Sequence, residues 1–176
     1  MRLDEVEMLV ASGRATAHQI GNVLDEIHKE LETSGATRLL TAIDVCNTQI
    51  AASVVGIFSL YESRLQSAHG WGKPFDEVQR LLMTSGTSNH AEEFENFRLA
   101  VNVLKHGKGA SHAKLLARAD RLPFKVQITF GDLHKEGDVC APSDFILVSV
   151  EFLKLCCDAI ENSWATVKKV MQETAP

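Results

Sequence analysis

The stretch RLLTAIDVCNTQIAASVVGIFSLYESRLQSAH, Arg38 to His69, decides the fold of this chain. Leu39, Leu40, Ile43, Ile50, Val54, Ile57, Phe58, Tyr61 and Leu65 recur at the spacing of a helical face. Ser34-Gly35 closes the segment before it, and Thr37 is the expected N-cap. Gly70-Trp71-Gly72-Lys73-Pro74 forces a turn after it, with the tryptophan packed in that turn. At 1.5 Å per residue the helix exceeds ~40 Å, and it is expected to be the central, most buried element.

The rest of the chain reads as shorter helices around that one. Leu3 to Leu31 carries Ile20, Val23, Leu24, Ile27 and Leu31 at helical spacing, with a break expected near Ser12-Gly13. Pro74 opens a short helix over 75–83, and Ser85-Gly86-Thr87-Ser88-Asn89 separates it from a helix over 90–106 with Phe94, Phe97, Val101 and Leu104 as its stripe. Gly107-Lys108-Gly109 ends that helix, Ser111 is expected to cap a short one to Ala119, and Leu122-Pro123-Phe124 stops it. Phe124 to Phe130 alternates enough for a small strand or extended loop, and Gly131 to Ala141 reads as a turn-rich excursion. Pro142 and Ser143-Asp144 introduce a last helix over 144–172, faced by Phe145, Val148, Phe152, Leu155, Ala159, Trp164, Val167 and Val170. The expectation is an all-α, up-and-down bundle of about four to five helices with a loop-rich insertion before the last, forming one domain over residues 1–176.

Composition agrees: 45% of the 176 residues are apolar and only four are proline. Cys46, Cys140, Cys156 and Cys157 form no C-x-x-C pair, so reduced thiols are expected, and the scattered histidines offer no helical metal pair. The acidic start Met1-Arg2-Leu3-Asp4-Glu5-Val6-Glu7 lacks the apolar core of a secretory signal, and the apolar tract Ile50 to Leu60 is short for a membrane span. A cytoplasmic protein without a membrane partner is the resulting expectation. The net charge of −5 hides an asymmetry. Between Arg98 and Lys125, seven cations stand against Asp120 alone, so that segment carries +6 and the remainder −11. A local basic stripe on an acidic body suits selective phosphate contact, or else a solvated face paired with acidic neighbours.

Within that stripe, Arg98, Asn102 and His106 are spaced four apart and are expected to form one ridge beside the apolar stripe of their helix. A guanidinium, a carboxamide and an imidazole on one edge could hold a phosphate and move a proton beside it. A structural reading competes. Lys105-His106-Gly107 is favoured at any helix C-terminus by the macrodipole, and Asn102 could simply bond a backbone carbonyl.

The pattern Arg98-x3-Asn102-x3-His106-Gly107, with Lys105 beside the histidine and Glu62 and Arg64 on the preceding long helix, resembles the HEPN (higher eukaryote and prokaryote nucleotide-binding) helical domains. Asn102-Val103-Leu104-Lys105-His106-Gly107-Lys108-Gly109, followed by Ser111, Leu115 and Leu122-Pro123-Phe124, is similar to a poorly characterised bacterial branch of that group. The likeness spans roughly residues 38 to 172, and its specific part is the segment around His106. It implies a helical bundle, commonly a homodimer, whose ridge helices face one cleft. It further implies a metal-independent ribonuclease of toxin-antitoxin or phage-defence systems, with RNA as substrate and an antitoxin protein as partner, or else a non-catalytic nucleotide-binding or protein-interaction module. Neither function needs a cofactor.

In the family pattern an arginine precedes the polar residue, and Val101 stands there in this chain. Arg98, one turn upstream, is the compensating guanidinium. The resemblance makes His106 the proton-transfer group, Asn102 the residue that orients either His106 or the scissile phosphate, and Arg98 the phosphate clamp. Lys105, Lys108, Lys114 and Arg118 are the expected substrate contacts, and Glu62 is either a surface residue or a partner to another helix, an ion pair to Arg98 being the alternative that would order the guanidinium.

Overall fold

A computed structural model describes residues 4–127 and 145–173. Among the described residues six α-helices run up and down: α1 (Glu5–Leu31), α2 (Thr37–His69), α3 (Pro74–Thr84), α4 (Ser88–His106), α5 (Ala110–Leu116) and α6 (Val150–Glu173). A 3-10 turn spans Ala119–Arg121. α1 packs on α2 and α6, α3 and α4 pack on the same two helices, and α5 lies on α4. The all-α bundle expected from the sequence is what forms.

The start of α1 is fixed by a capping box. Asp4 accepts from the backbone N–H groups of Val6 and Glu7, and Glu7 accepts from the Asp4 N–H. The expected break at Ser12-Gly13 does not occur. α1 runs through it, and a Cβ built on Gly13 falls 2.6 Å from both Cys157 Sγ and Ile57 Cδ1. Side chains of α2 and α6 thus crowd α1 at Gly13, and a glycine there serves packing instead of a turn.

α2 begins at Thr37 itself, with Ala36 as an N-cap that offers no side-chain bond, and it ends at Gly70 in the left-handed region (φ 66°). By length and composition α2 could cross a membrane, contrary to the expectation that its apolar tract is too short. Ile50, Val54, Phe58, Tyr61 and Leu65 nonetheless face the bundle core, while Leu40, Val45 and Leu60 are exposed. The most continuously buried helix is α4, where nine of 19 residues are inside against eight of 33 in α2. The physical reason is position: α4 is covered by α2, α3, α5 and α6, whereas one side of α2 faces solvent.

Two aromatic clusters fill the interior. Phe58, Tyr61, Phe75 and Phe94 make one, extended to Trp164 by an edge contact with Tyr61. Phe97, Phe124 and Phe152 make the other. The Tyr61 hydroxyl reaches Ser163 Oγ at 3.0 Å, and Ser163 donates to the Ile160 carbonyl, so Tyr61 is the donor of the pair. Burial pushes its phenol well above the ordinary tyrosine range, the Ser163 bond notwithstanding.

The remaining boundaries shift by local chemistry. α5 starts at Ala110 behind Gly109 and stops at Leu116, so Ser111 lies inside it instead of capping it. After a bend at Phe124 the chain makes an isolated antiparallel bridge, Val126 to Ile146, closed by Gln127 N to Phe145 O and Leu147 N to Lys125 O. The rest of the expected strand, the excursion over 131–141 with Cys140, and Pro142 to Asp144 lie outside the described residues. α6 opens at Val150 rather than Asp144. Phe145 and Val148 belong to the extended approach, and Ser149 Oγ accepts from the Phe152 N–H at the helix start. Cys46, Cys156 and Cys157 are buried free thiols, and burial lifts Cys157 to about 11.

Candidate functional site

A cleft of about 290 Å³ opens where the C-terminal part of α2, the turn after it, the start of α3 and the middle of α4 meet. Its floor is apolar, from Phe58, Phe75 and Val101, and stands on the first aromatic cluster. Its walls are polar. α4 contributes Arg98, Asn102 and Lys105, α2 contributes Ser59 and Glu62, and the Gly72-Lys73 turn with Asp76 of α3 closes the far side.

Arg98, Asn102, Lys105 and Glu62 thus come together as the sequence predicts. His106 does not join them. It is exposed at the last position of α4 and is absent from the cleft lining. The reason is the helical period. A step of four residues overshoots one turn by about 40°, so two steps carry His106 roughly 80° round from Arg98, while Lys105 at seven residues falls back within about 20°. The face presented to the cleft is 98, 101, 102 and 105, and the expected straight ridge winds out of it.

Arg98 is also held differently from expectation. Its Nε donates to Glu95 at 2.7 Å and its Nη1 to Asp76 at 2.8 Å, while Glu62 lines the cleft with no ion pair among the described residues. Glu95 lies one turn back on the same helix and Asp76 in the first turn of α3, so both reach the guanidinium where Glu62 does not. Burial alone would lower the Arg98 pKa, but the Glu95 and Asp76 carboxylates outweigh it and the net shift is upward.

The other expected contacts are dispersed. Lys108 follows the end of α4 and Lys114 lies on α5, both exposed and outside the cleft lining. Arg118 donates to the buried Asn96 at 3.0 Å, a structural bond. Arg121 lines a separate hollow with His90 and Glu93. The +6 segment therefore does not form one stripe. Among the described residues no three His, Cys, Asp or Glu side chains are grouped to hold a metal ion.

Lys73, Asp76 and Ser59 were not singled out by sequence. Asp76 had a signal, as an acidic residue in the first turn after Pro74. Lys73 is placed by a turn in which Trp71 stacks on His69, with ring centroids 4.5 Å apart. Lys73, Lys105 and Glu62 have no ion-pair partner among the described residues, so the cleft offers two unengaged cations, an unengaged carboxylate and the Asn102 amide. That mixture can bind a ligand carrying both an anion and hydrogen-bond donors. Against protein-family models, curated proteins and solved structures, the chain finds no match.

Proposed function

We propose that this chain is a non-catalytic HEPN-like module whose cleft binds a phosphate-bearing nucleotide or RNA segment. The observation that carries this reading is that Arg98, Asn102 and Lys105 line one cleft while His106 stands outside it. Lys105 and Lys73 receive the phosphate, and Glu62 and Asn102 take donors of the base or sugar. Equilibrium binding of 5′-AMP and of a short single-stranded RNA is the test. The expected result is binding that falls roughly tenfold in Lys105→Ala and in Asn102→Ala, each removing a contact of about 1–1.5 kcal/mol. Unchanged affinity in both variants sinks the reading.

A second reading is a metal-independent endoribonuclease, acting as a toxin or phage-defence effector restrained by an antitoxin. It is favoured by the exposure of His106, next in sequence to a cleft residue and open to a site completed by a second copy in a homodimer. In that chemistry the 2′-oxygen bonds to the adjacent phosphorus as His106 takes its proton, the P–O5′ bond breaks, and the departing 5′-oxygen takes a proton from water. The products are a 2′,3′-cyclic phosphate and a 5′-hydroxyl end. RNA incubated in EDTA with the wild type and with His106→Ala separates the readings. Cyclic-phosphate ends from the wild type alone establish the nuclease, and no cleavage by either leaves the binding module.

A further inference from the structure

Arg98 is the best phosphate ligand in the cleft by chemistry, because its planar fork matches two oxygens at once. In this structure Asp76 takes Nη1 and Glu95 takes Nε, so neither pair of neighbouring nitrogens can grip two oxygens until one carboxylate leaves. Asp76 crosses from α3 to place Oδ1 2.8 Å from Nη1, and Glu95 holds Nε from below. The two carboxylates differ in setting. Glu95 is on the same helix as Arg98 and its side chain is 19% exposed, whereas Asp76 is on another helix, lines the cleft and is 56% exposed. Glu95 is thus a fixed support, and Asp76 is a solvent-facing group that can be exchanged.

The geometry points to Asp76 as a resident anion that occupies the phosphate position on Arg98 and must be displaced by ligand, so that the cleft selects terminal phosphate monoesters over internal phosphodiesters. The selection follows from charge. An internal phosphodiester carries a single negative charge and two free oxygens, as the Asp76 carboxylate does, so exchanging one for the other gains little. A terminal phosphate carries close to two charges at neutral pH and a third free oxygen. The extra charge and oxygen can reach Lys105 or Lys73, which line the same cleft without ion-pair partners among the described residues. Arg98 needs no rebuilding for the exchange, because Glu95 keeps it in place throughout.

The inference rests on the cleft reading above, and the experiment separates the two. Calorimetric titration compares 5′-AMP with the dinucleoside ApA, which holds only an internal phosphodiester, on the wild type, Asp76→Asn and Glu77→Gln. Glu77 pairs with Arg80 and does not touch Arg98, so Glu77→Gln removes the same charge without opening the fork. Wild type is expected to bind 5′-AMP at least tenfold more tightly than ApA. Asp76→Asn is expected to tighten both by roughly fivefold, and Glu77→Gln by less than twofold. Asp76→Asn/Arg98→Gln is expected to lose the gain, with melting curves confirming that each variant is folded. If the wild type binds 5′-AMP and Asp76→Asn binds it no better, or Glu77→Gln gains as much, the displacement is wrong while the cleft reading survives. If ApA binds as well as 5′-AMP, the monoester preference is wrong. If no protein binds either ligand, the cleft reading falls and the displacement with it.

Discussion

Arg14 and Arg98 each hold two carboxylates, yet they do different things. Arg14 on α1 reaches Asp158 and Glu161 on α6, with contacts of 2.6 Å to both, and every member of the trio is more than 40% exposed. Glu161 first and Asp158 next push its already high pKa upward. It is a clip between two helices. Arg98 takes one carboxylate from its own helix and one from α3, is 28% exposed, and lines a cleft in which Lys73 and Lys105 have no ion-pair partner among the described residues. A doubly paired arginine whose carboxylates are its only neighbours of note joins two helices, and one that stands among unmatched charges is a candidate for ligand contact.

The strongest way to break the comparison is from beneath the Arg14 clip. Gly13→Ala puts a methyl group 2.6 Å from Cys157 Sγ and Ile57 Cδ1, and Cys157 is fully buried beside Asp158. Ile57 Cδ1 is the far end of a flexible side chain, whereas Cys157 Sγ is bonded directly to its Cβ and moves only by a change of rotamer. Overpacking of this kind costs about 1–3 kcal/mol, partly offset by the ~1 kcal/mol that alanine gains over glycine in a helix. Urea denaturation is expected to show a net loss of up to about 2 kcal/mol, recovered in Gly13→Ala/Cys157→Ala, whereas ligand binding at the cleft stays unchanged. An undiminished loss in the double variant would place the strain elsewhere.

Exchanging the arginines sharpens the contrast. Arg14→Gln removes two exposed pairs, which are worth below about 1 kcal/mol once solvent screening is counted. Arg98→Gln strands the mostly covered Glu95 carboxylate and is expected to cost about 1–2 kcal/mol, between the values for exposed and buried pairs. It should also weaken 5′-AMP binding, which Arg14→Gln leaves alone. Melting and titration on the same samples decide it, and equal effects of the two variants on binding would erase the distinction between clip and site.

Most of the fold was legible because helices announce themselves through local periodicity. α2 and α4 follow from their apolar spacing and from the Gly70 and Gly107 stops. The failures came where a residue's reason is tertiary. Gly13 looks like a break in sequence and is a close contact in space. Ser149, not Ser143-Asp144, stands at the start of α6, because the extended approach carrying Ile146 pairs with Val126 before the helix can begin. At the site, Arg98, Asn102 and Lys105 were readable as one helix face, but a ridge drawn by fours ignores the 3.6-residue period and carried His106 into a cleft it does not line. Lys73 was invisible, and Asp76 showed only as an acidic first-turn residue, since nothing local says that the α2–α3 turn folds onto α4.

The smallest effect concerns acid, and it falls at the start of α1, where α1 meets α6 on the same pair of helices that Arg14 joins. Asp4 Oδ2 accepts from Trp164 Nε1 at 2.9 Å and from Lys168 Nζ at 3.2 Å, while Glu7 accepts from Lys168 at 2.7 Å. Burial alone would raise the Asp4 pKa, but its bonds to the Glu7 backbone, Trp164 and Lys168 outweigh this and leave it below 3.8. Glu7 lies below 4.5, chiefly through Lys168 and then through the Asp4 backbone. Both folded-state values are depressed, so the stabilisation is in place above the unfolded values and is lost as pH falls through the folded ones. In a Trp71→Phe background, where Trp164 is the sole indole, its emission is expected to change on acidification below about pH 4. Asp4→Asn keeps an amide oxygen for the helix cap but removes the charge that Lys168 and the indole face. The acid transition should therefore shrink in Asp4→Asn and the neutral-pH melt fall slightly. An acid profile identical in the two proteins would mean that the Asp4 carboxylate has no part in joining α1 to α6.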